Sequence, residues 1–217
     1  MTNKNKLQMM QRFRRLSLPE ATRRYADLVS AISSQSAEEV GFGWRASSVA
    51  PSSLAELQFE ARLARATGLP LRVSSLHCDR AVLPRSVNQA FRFWHDMTHL
   101  QVGAGFDTMG EIEVGQRQLE QFEQLGVSPR SLVWRLLFAD TIGQTRCVSM
   151  ISRFPYNQRR FTLDYLYYGL DTAIRMEAAR AKARELRATG HWRSDKSAST
   201  TGGVSLQVCG TPPLDAA

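Results

Sequence analysis

No stretch of this sequence stays apolar for the roughly 18 residues that a membrane-spanning helix needs, so no membrane span is expected. Cysteine is scarce. Cys78, Cys147 and Cys209 are the only three, and none stands in CxxC spacing. That excludes a disulfide scaffold and a dithiol redox motif, and it fits a reducing cytoplasm. The basic N-terminus is not followed by the apolar core of a secretory signal. A P-loop, a GxGxxG fingerprint and a GxSxG elbow are absent, as is any repeat at solenoid spacing. Histidine is rare too, with four in 217 residues, and two of the four stand together at His95 and His99.

What the chain has is positive charge and apolar mass. The net charge is +8 with a pI near 9.9, which suits a polyanionic partner such as nucleic acid. Residues 1–16 carry Lys4, Lys6, Arg12, Arg14 and Arg15 and no acid, and read as a basic arm. Arg23 and Arg24 extend that patch into the first helix. A hydrophobic fraction of 43%, with four Trp, ten Phe and five Tyr, is enough for a real core in a domain of this length.

Ser17-Leu18-Pro19-Glu20 is a capping box with proline just inside the helix start, and predicts a helix to about Ser33. The Ser/Gly-rich residues 34–52 read as a connector. A second capping box at Ser53 opens a helix to about Thr67, stopped by Gly68 and Pro70. Residues 69–78 alternate in part and predict a short extended segment that ends in His77-Cys78-Asp79, with His77 a further candidate metal ligand about seventeen residues before His95. Ser128-Pro129 predicts the start of a helix to about Ile151. Asp140 and Gln144 fall in the middle of its apolar face, and buried polar groups there need partners or a share in a metal site. A long helix is predicted from about Gln158 to Ala188. Beyond it, Ser, Thr, Gly and Pro dominate. The expected architecture is all-α: a basic arm over 1–16, a bundle of five or six helices over 17–190, and a disordered tail over 191–217.

The centre of the chain is the stretch from Ser86 to Phe122. Val87, Ala90, Phe91, Trp94 and Met97 recur at helical spacing. At about 100° per residue, Asn88, Arg92, His95 and His99 share the opposite, polar arc, with Asp96 at its edge. A short loop from Gly103 to Asp107 leads to a second helix, ending at about Leu125, and favours antiparallel packing. His99 then lies level with Glu111, and His95 level with Gly115. Glu111 falls on the same stripe as Ile112, Gly115, Leu119 and Phe122, facing the histidines. Two histidines and one carboxylate suit a single divalent ion such as Zn, Fe or Mn, with Asp140 as a further candidate ligand. Asp96 is then a candidate base, and Arg92 a candidate contact for an anionic substrate.

His95-Asp96-Met97-Thr98-His99 resembles the H-E-x-x-H motif of zincin metalloproteases, with Asp96 where that family has glutamate. The resemblance implies zinc held by His95 and His99, with the acidic residue as base. The Glu-x-x-His of ferritin-like di-iron bundles is absent. The wider stretch from Ala90-Phe91-Arg92-Phe93-Trp94-His95-Asp96 through Gly110-Glu111 resembles proteins of bacterial plasmids and integrating elements. That context and the basic charge together suggest an accessory role beside DNA, in which Arg12, Arg14, Arg15, Arg23 and Arg24 contact phosphate without reading sequence. The alternative is an α-helical metal-dependent hydrolase using His95, His99 and Glu111.

Overall fold

A computed structural model describes residues 16–189. The arm residues Arg12, Arg14 and Arg15 and the tail over 191–217 lie outside the described residues. The fold is helical, with one small sheet. In chain order the elements are α1 (Leu18–Val40), β1 (Trp44–Ser47), α2 (Leu54–Thr67), β2 (Leu71–Ser74) and α3 (Arg85–Val102). After these come α4 (Thr108–Gln124), α5 (Leu132–Phe138), α6 (Gln144–Ile151), α7 (Gln158–Tyr168) and α8 (Leu170–Ala188). A π-helical turn, Ala139–Gly143, joins α5 to α6. Counting 132–151 as one rod gives seven helices among the described residues, slightly more than the five or six expected. Contacts divide the chain inside α8, after Lys182; the sheet, the core and the histidine cluster all belong to the unit that ends there.

The first capping box forms, and at the second Ser53 caps the helix while the Glu56 carboxylate accepts from Ser52 N–H and Oγ instead of Ser53 N–H. Ser17 N–H and Oγ donate to the Glu20 carboxylate, and Ser53 Oγ accepts from Glu56 N–H. The α1 helix runs two turns past Ser33 because its serines are not a linker. Ser33 Oγ donates to the Val29 carbonyl of its own helix, and the Ala90 carbonyl of α3 lies 2.7 Å from the same oxygen. Ser36 is buried as well. A Ser-rich segment thus becomes the close-packed face between α1 and α3.

The predicted connector also hides β1. Trp44 to Ser47 pairs in parallel with Leu71 to Ser74, residue for residue. Trp44 stacks on Phe93 of α3 with ring centroids 4.8 Å apart. A cluster of Phe42, Leu57, Leu71, Val73, Phe93 and Met97 ties the sheet and α2 to one side of α3. The other side of α3 enters the main core. There Trp94 stacks on Phe122 of α4 and Tyr25 of α1 meets the edge of the same ring. The α3 helix is therefore held on both flanks, and this fixes which way its histidine face points.

Two further departures from the sequence reading have local causes. The helix expected from Ser128 begins at Leu132, because Ser131 is the residue whose side chain caps it, accepting from Trp134 N–H. The long helix expected from Gln158 breaks at Gly169, whose φ of 83° lies in the left-handed region.

Candidate metal centre

The α3 and α4 helices pack as an antiparallel hairpin closed by the 103–107 loop. Asp107 caps α4 by accepting from the Met109 and Gly110 N–H groups. The hairpin is tight at its closed end: an added Cβ on Gly110 would overlap the Gly105 carbonyl. This contact presses the loop against the first turn of α4, with Glu111 next in sequence.

His95, His99 and Glu111 converge as their helix phase predicts, each offering one ligand atom within 4.8 Å of the others. His95 Nε2 lies 3.1 Å from Glu111 Oε2 and 3.1 Å from His99 Nε2, and His99 Nε2 lies 3.5 Å from Glu111 Oε1. Both Nδ1 atoms face oxygen acceptors. His99 Nδ1–H donates to the Ala104 carbonyl at 3.0 Å, and His95 Nδ1–H donates to Gln118 Oε1 at 3.0 Å. A neutral ring with its proton on Nδ1 carries its lone pair on Nε2. Two such lone pairs and a carboxylate then meet with no donor between them. A cation resolves that clash, whether a proton on one ring or a metal ion bound to all three groups.

The spacing suits an ion as well as it suits hydrogen bonds. Ligand atoms about 2.1 Å from one metal in adjacent tetrahedral or octahedral positions stand roughly 3.0–3.4 Å apart. His95 Nε2 stands at that distance from both His99 Nε2 and Glu111 Oε2, and His99 Nε2 faces the other carboxylate oxygen, Oε1, at 3.5 Å. The site is closed on the His99 side, where that side chain is 1% exposed. It opens past His95 at 18% and Glu111 at 30%. Phe106 covers the His99 ring and Phe91 stacks on His95. The three groups face solvent on one side, where an ion held by them would keep a coordination position free.

The electrostatics follow from burial and charge together. Burial alone would raise the Glu111 carboxyl, but the hydrogen bonds and charges of both histidines outweigh it and hold the group at about 2. Burial opposes a charged His95. The Glu111 hydrogen bond and charge, with Gln118 and Asp96, overcome it and raise its pKa. Asp96 sits at the edge of the site, half-buried, with no hydrogen bond or ion pair among the described residues. Burial pushes its carboxyl up to about 7 against the pull of His95, His99 and Arg92.

Other expected site residues lie elsewhere. Asp140 is outside the cluster. It accepts from Tyr25 Oη–H at 3.0 Å and from Gln144 Nε2 at 3.2 Å, so a tyrosine of α1 supplies the partner its helix face requires. Arg92 is committed to structure. Its guanidinium donates to the Ser74 and Leu76 carbonyls and to Asn88, which pins the chain after β2 to α3. Gly115 admits Thr141 and Ile142 of the π turn rather than His95. His77 is exposed and apart from the cluster. Arg23 and Arg24 are exposed on α1 with no ion pair among the described residues.

Gln118 is the site residue that sequence reasoning misses. It is fully buried, seven positions after Glu111 and therefore on the same face of α4. That two-turn spacing is the available signal, but the polarity of glutamine suggests a surface position. Comparison with protein-family models, curated proteins and solved structures finds no match, so the functional reading rests on the site itself.

Proposed function

We propose that the protein binds one divalent transition-metal ion through His95 Nε2, His99 Nε2 and Glu111 and uses it as a hydrolytic centre. The single observation that carries this reading is the convergence of His95 Nε2, His99 Nε2 and the two Glu111 carboxylate oxygens at nearest separations of 3.1–3.5 Å, with both histidine Nδ1 atoms already engaged. Bound there, an ion of the Zn, Fe or Mn type would act as a Lewis acid and lower the pKa of a coordinated water. The chain's own residues supply the rest. Gln118 and the Ala104 carbonyl fix the tautomer and the aim of both rings. Phe91 and Phe106 keep water from their flanks. Asp96, half-buried at the edge of the site and without a partner among the described residues, is the candidate base. The test is elemental analysis of native protein beside a His95→Ala variant, with hydrolysis of activated esters and phosphodiesters measured on both. About one metal per chain in the wild type, and none in the variant, supports the reading. Metal-free wild type with no affinity for added ions removes it.

A second reading is favoured by the exposure of Arg23 and Arg24, which lie close in sequence to Arg12, Arg14 and Arg15. In this reading the first 24 residues contact nucleic-acid phosphate in an accessory role beside DNA. Affinity then falls steeply with salt, with a slope that drops by about one for each phosphate contact removed. Charge reversal at Arg12, Arg14 and Arg15 weakens binding alike on unrelated sequences. Absence of binding at low salt ends this reading without touching the metal site.

A further inference from the structure

Away from the metal centre, α1, α5, α7 and the segment before α3 enclose a cleft of about 530 Å³. Leu18, Ala26, Val82, Leu136 and Leu163 form its apolar lining. The volume lies in the range of pockets that hold small organic ligands. Two cations stand on it, Arg23 from α1 and Arg159 from the first turn of α7. Both are exposed, and neither has an ion pair or a hydrogen bond among the described residues.

Two hydroxyls also line this cleft, and they differ. Thr22 Oγ donates to the Leu18 carbonyl at 2.9 Å, the usual arrangement for a threonine inside a helix. Thr162 is 1% exposed, yet its Oγ has no partner. A buried hydroxyl without a hydrogen bond costs free energy, and native proteins rarely leave one so. An apolar lining, two guanidinium groups without an ion pair among the described residues and a buried unsatisfied hydroxyl beside them together describe a ligand with a hydrocarbon body and an anionic head.

We infer that this cleft binds a free monocarboxylate with a medium-length alkyl chain, its carboxylate between Arg23 and Arg159 and its chain against Leu136 and Leu163. Arginine forks match carboxylate geometry and hold it bidentately. The alkyl body gains by leaving water. Thr162 Oγ–H, buried beside the cleft, supplies a further donor once its side chain turns toward the bound molecule.

The test is isothermal titration of the full-length protein with decanoate, and with decanol as the uncharged control. Arg23→Gln/Arg159→Gln and Thr162→Val variants are titrated in parallel. Both arginines are exposed, so the double variant retains the wild-type melting temperature and reports on binding alone. The inference expects saturable one-to-one binding of decanoate, at least tenfold weaker binding of decanol, and an equal loss of decanoate affinity in the double arginine variant. Thr162→Val weakens decanoate about threefold to tenfold while leaving the ligand-free protein as stable as before. Equal affinity for decanoate and decanol overturns the inference. So does decanoate binding that survives loss of both arginines, or recruitment to anionic phosphatidylglycerol vesicles without affinity for soluble decanoate.

Discussion

The Nε2 atoms of His95 and His99 lie 3.1 Å apart, and each ring already has its Nδ1 against an oxygen acceptor. Two imidazole lone pairs do not face each other at that distance without a proton or a metal ion between them. Glu111 strengthens the demand for a cation, since its carboxylate adds a third acceptor at the same point. Groups behind the three side chains hold this geometry, and each can be removed on its own.

Gln118 orients His95. Gln118→Leu keeps the buried volume but removes the acceptor from His95 Nδ1–H. Metal affinity falls about 10–100-fold, as expected for a lost partner behind a ligating histidine. Stability changes little, because the substitution also removes a buried Nε2 that has no hydrogen bond. Gln118→Glu restores a stronger acceptor and recovers the affinity. Metal titration of the two variants separates this role from simple packing; equal losses in both would contradict it.

Gly110 sets the closeness of the hairpin. In Gly110→Ala the new methyl overlaps the Gly105 carbonyl, which belongs to backbone and cannot rotate away. Overpacking of this kind costs about 3 kcal/mol. The loop that shifts also carries Ala104, the acceptor for His99 Nδ1–H. Thermal melting and metal titration therefore both respond. A variant as stable as the wild type would show that the loop is looser than the structure indicates.

Much of this is legible in the sequence. Helix phase alone brings His95, His99 and Glu111 to one point, because both helices are amphipathic and a five-residue loop leaves them one way to pack. The capping serines Ser17 and Ser53 are legible because their chemistry is local. The β1 strand is not, since Trp44 to Ser47 is four residues long and its pairing with β2 is set by tertiary contact with Phe93. The helix face of Asp140 correctly marks a group that needs a partner, but that partner is not a metal ion. It is Tyr25, from a helix 115 residues away in the chain, which no local pattern reveals. Arg92 looks free on the polar arc, because carbonyls of an irregular segment leave no sequence signature.

Asp140 gives the protein a pH dependence that can be measured apart from the metal site. Burial pushes its carboxyl up to about 7, against the hydrogen bonds of Tyr25 and Gln144. Between the ordinary value of 3.8 and about 7, the folded protein holds a proton that the unfolded chain has released. Stability therefore falls as pH rises through that window and levels off above it. Asp96 adds a slope of the same sign. Denaturant unfolding of chelator-treated protein at pH 4.5, 5.5, 6.5 and 7.5 should show a shallower decline in Asp140→Asn than in the wild type. Parallel curves would mean that Asp140 is ionised across the range.

Whether His95, His99 and Glu111 form one metal site is decided by isothermal titration of Zn²⁺ into chelator-stripped full-length protein at pH 7.5. The variants His95→Ala, His99→Ala and Glu111→Gln are titrated beside it. One site per chain is expected in the wild type, with proton release on binding if His95 is protonated beforehand, and that site should vanish in each of the three variants. Wild-type protein that takes up no zinc, or variants that bind it as the wild type does, would contradict a shared metal site.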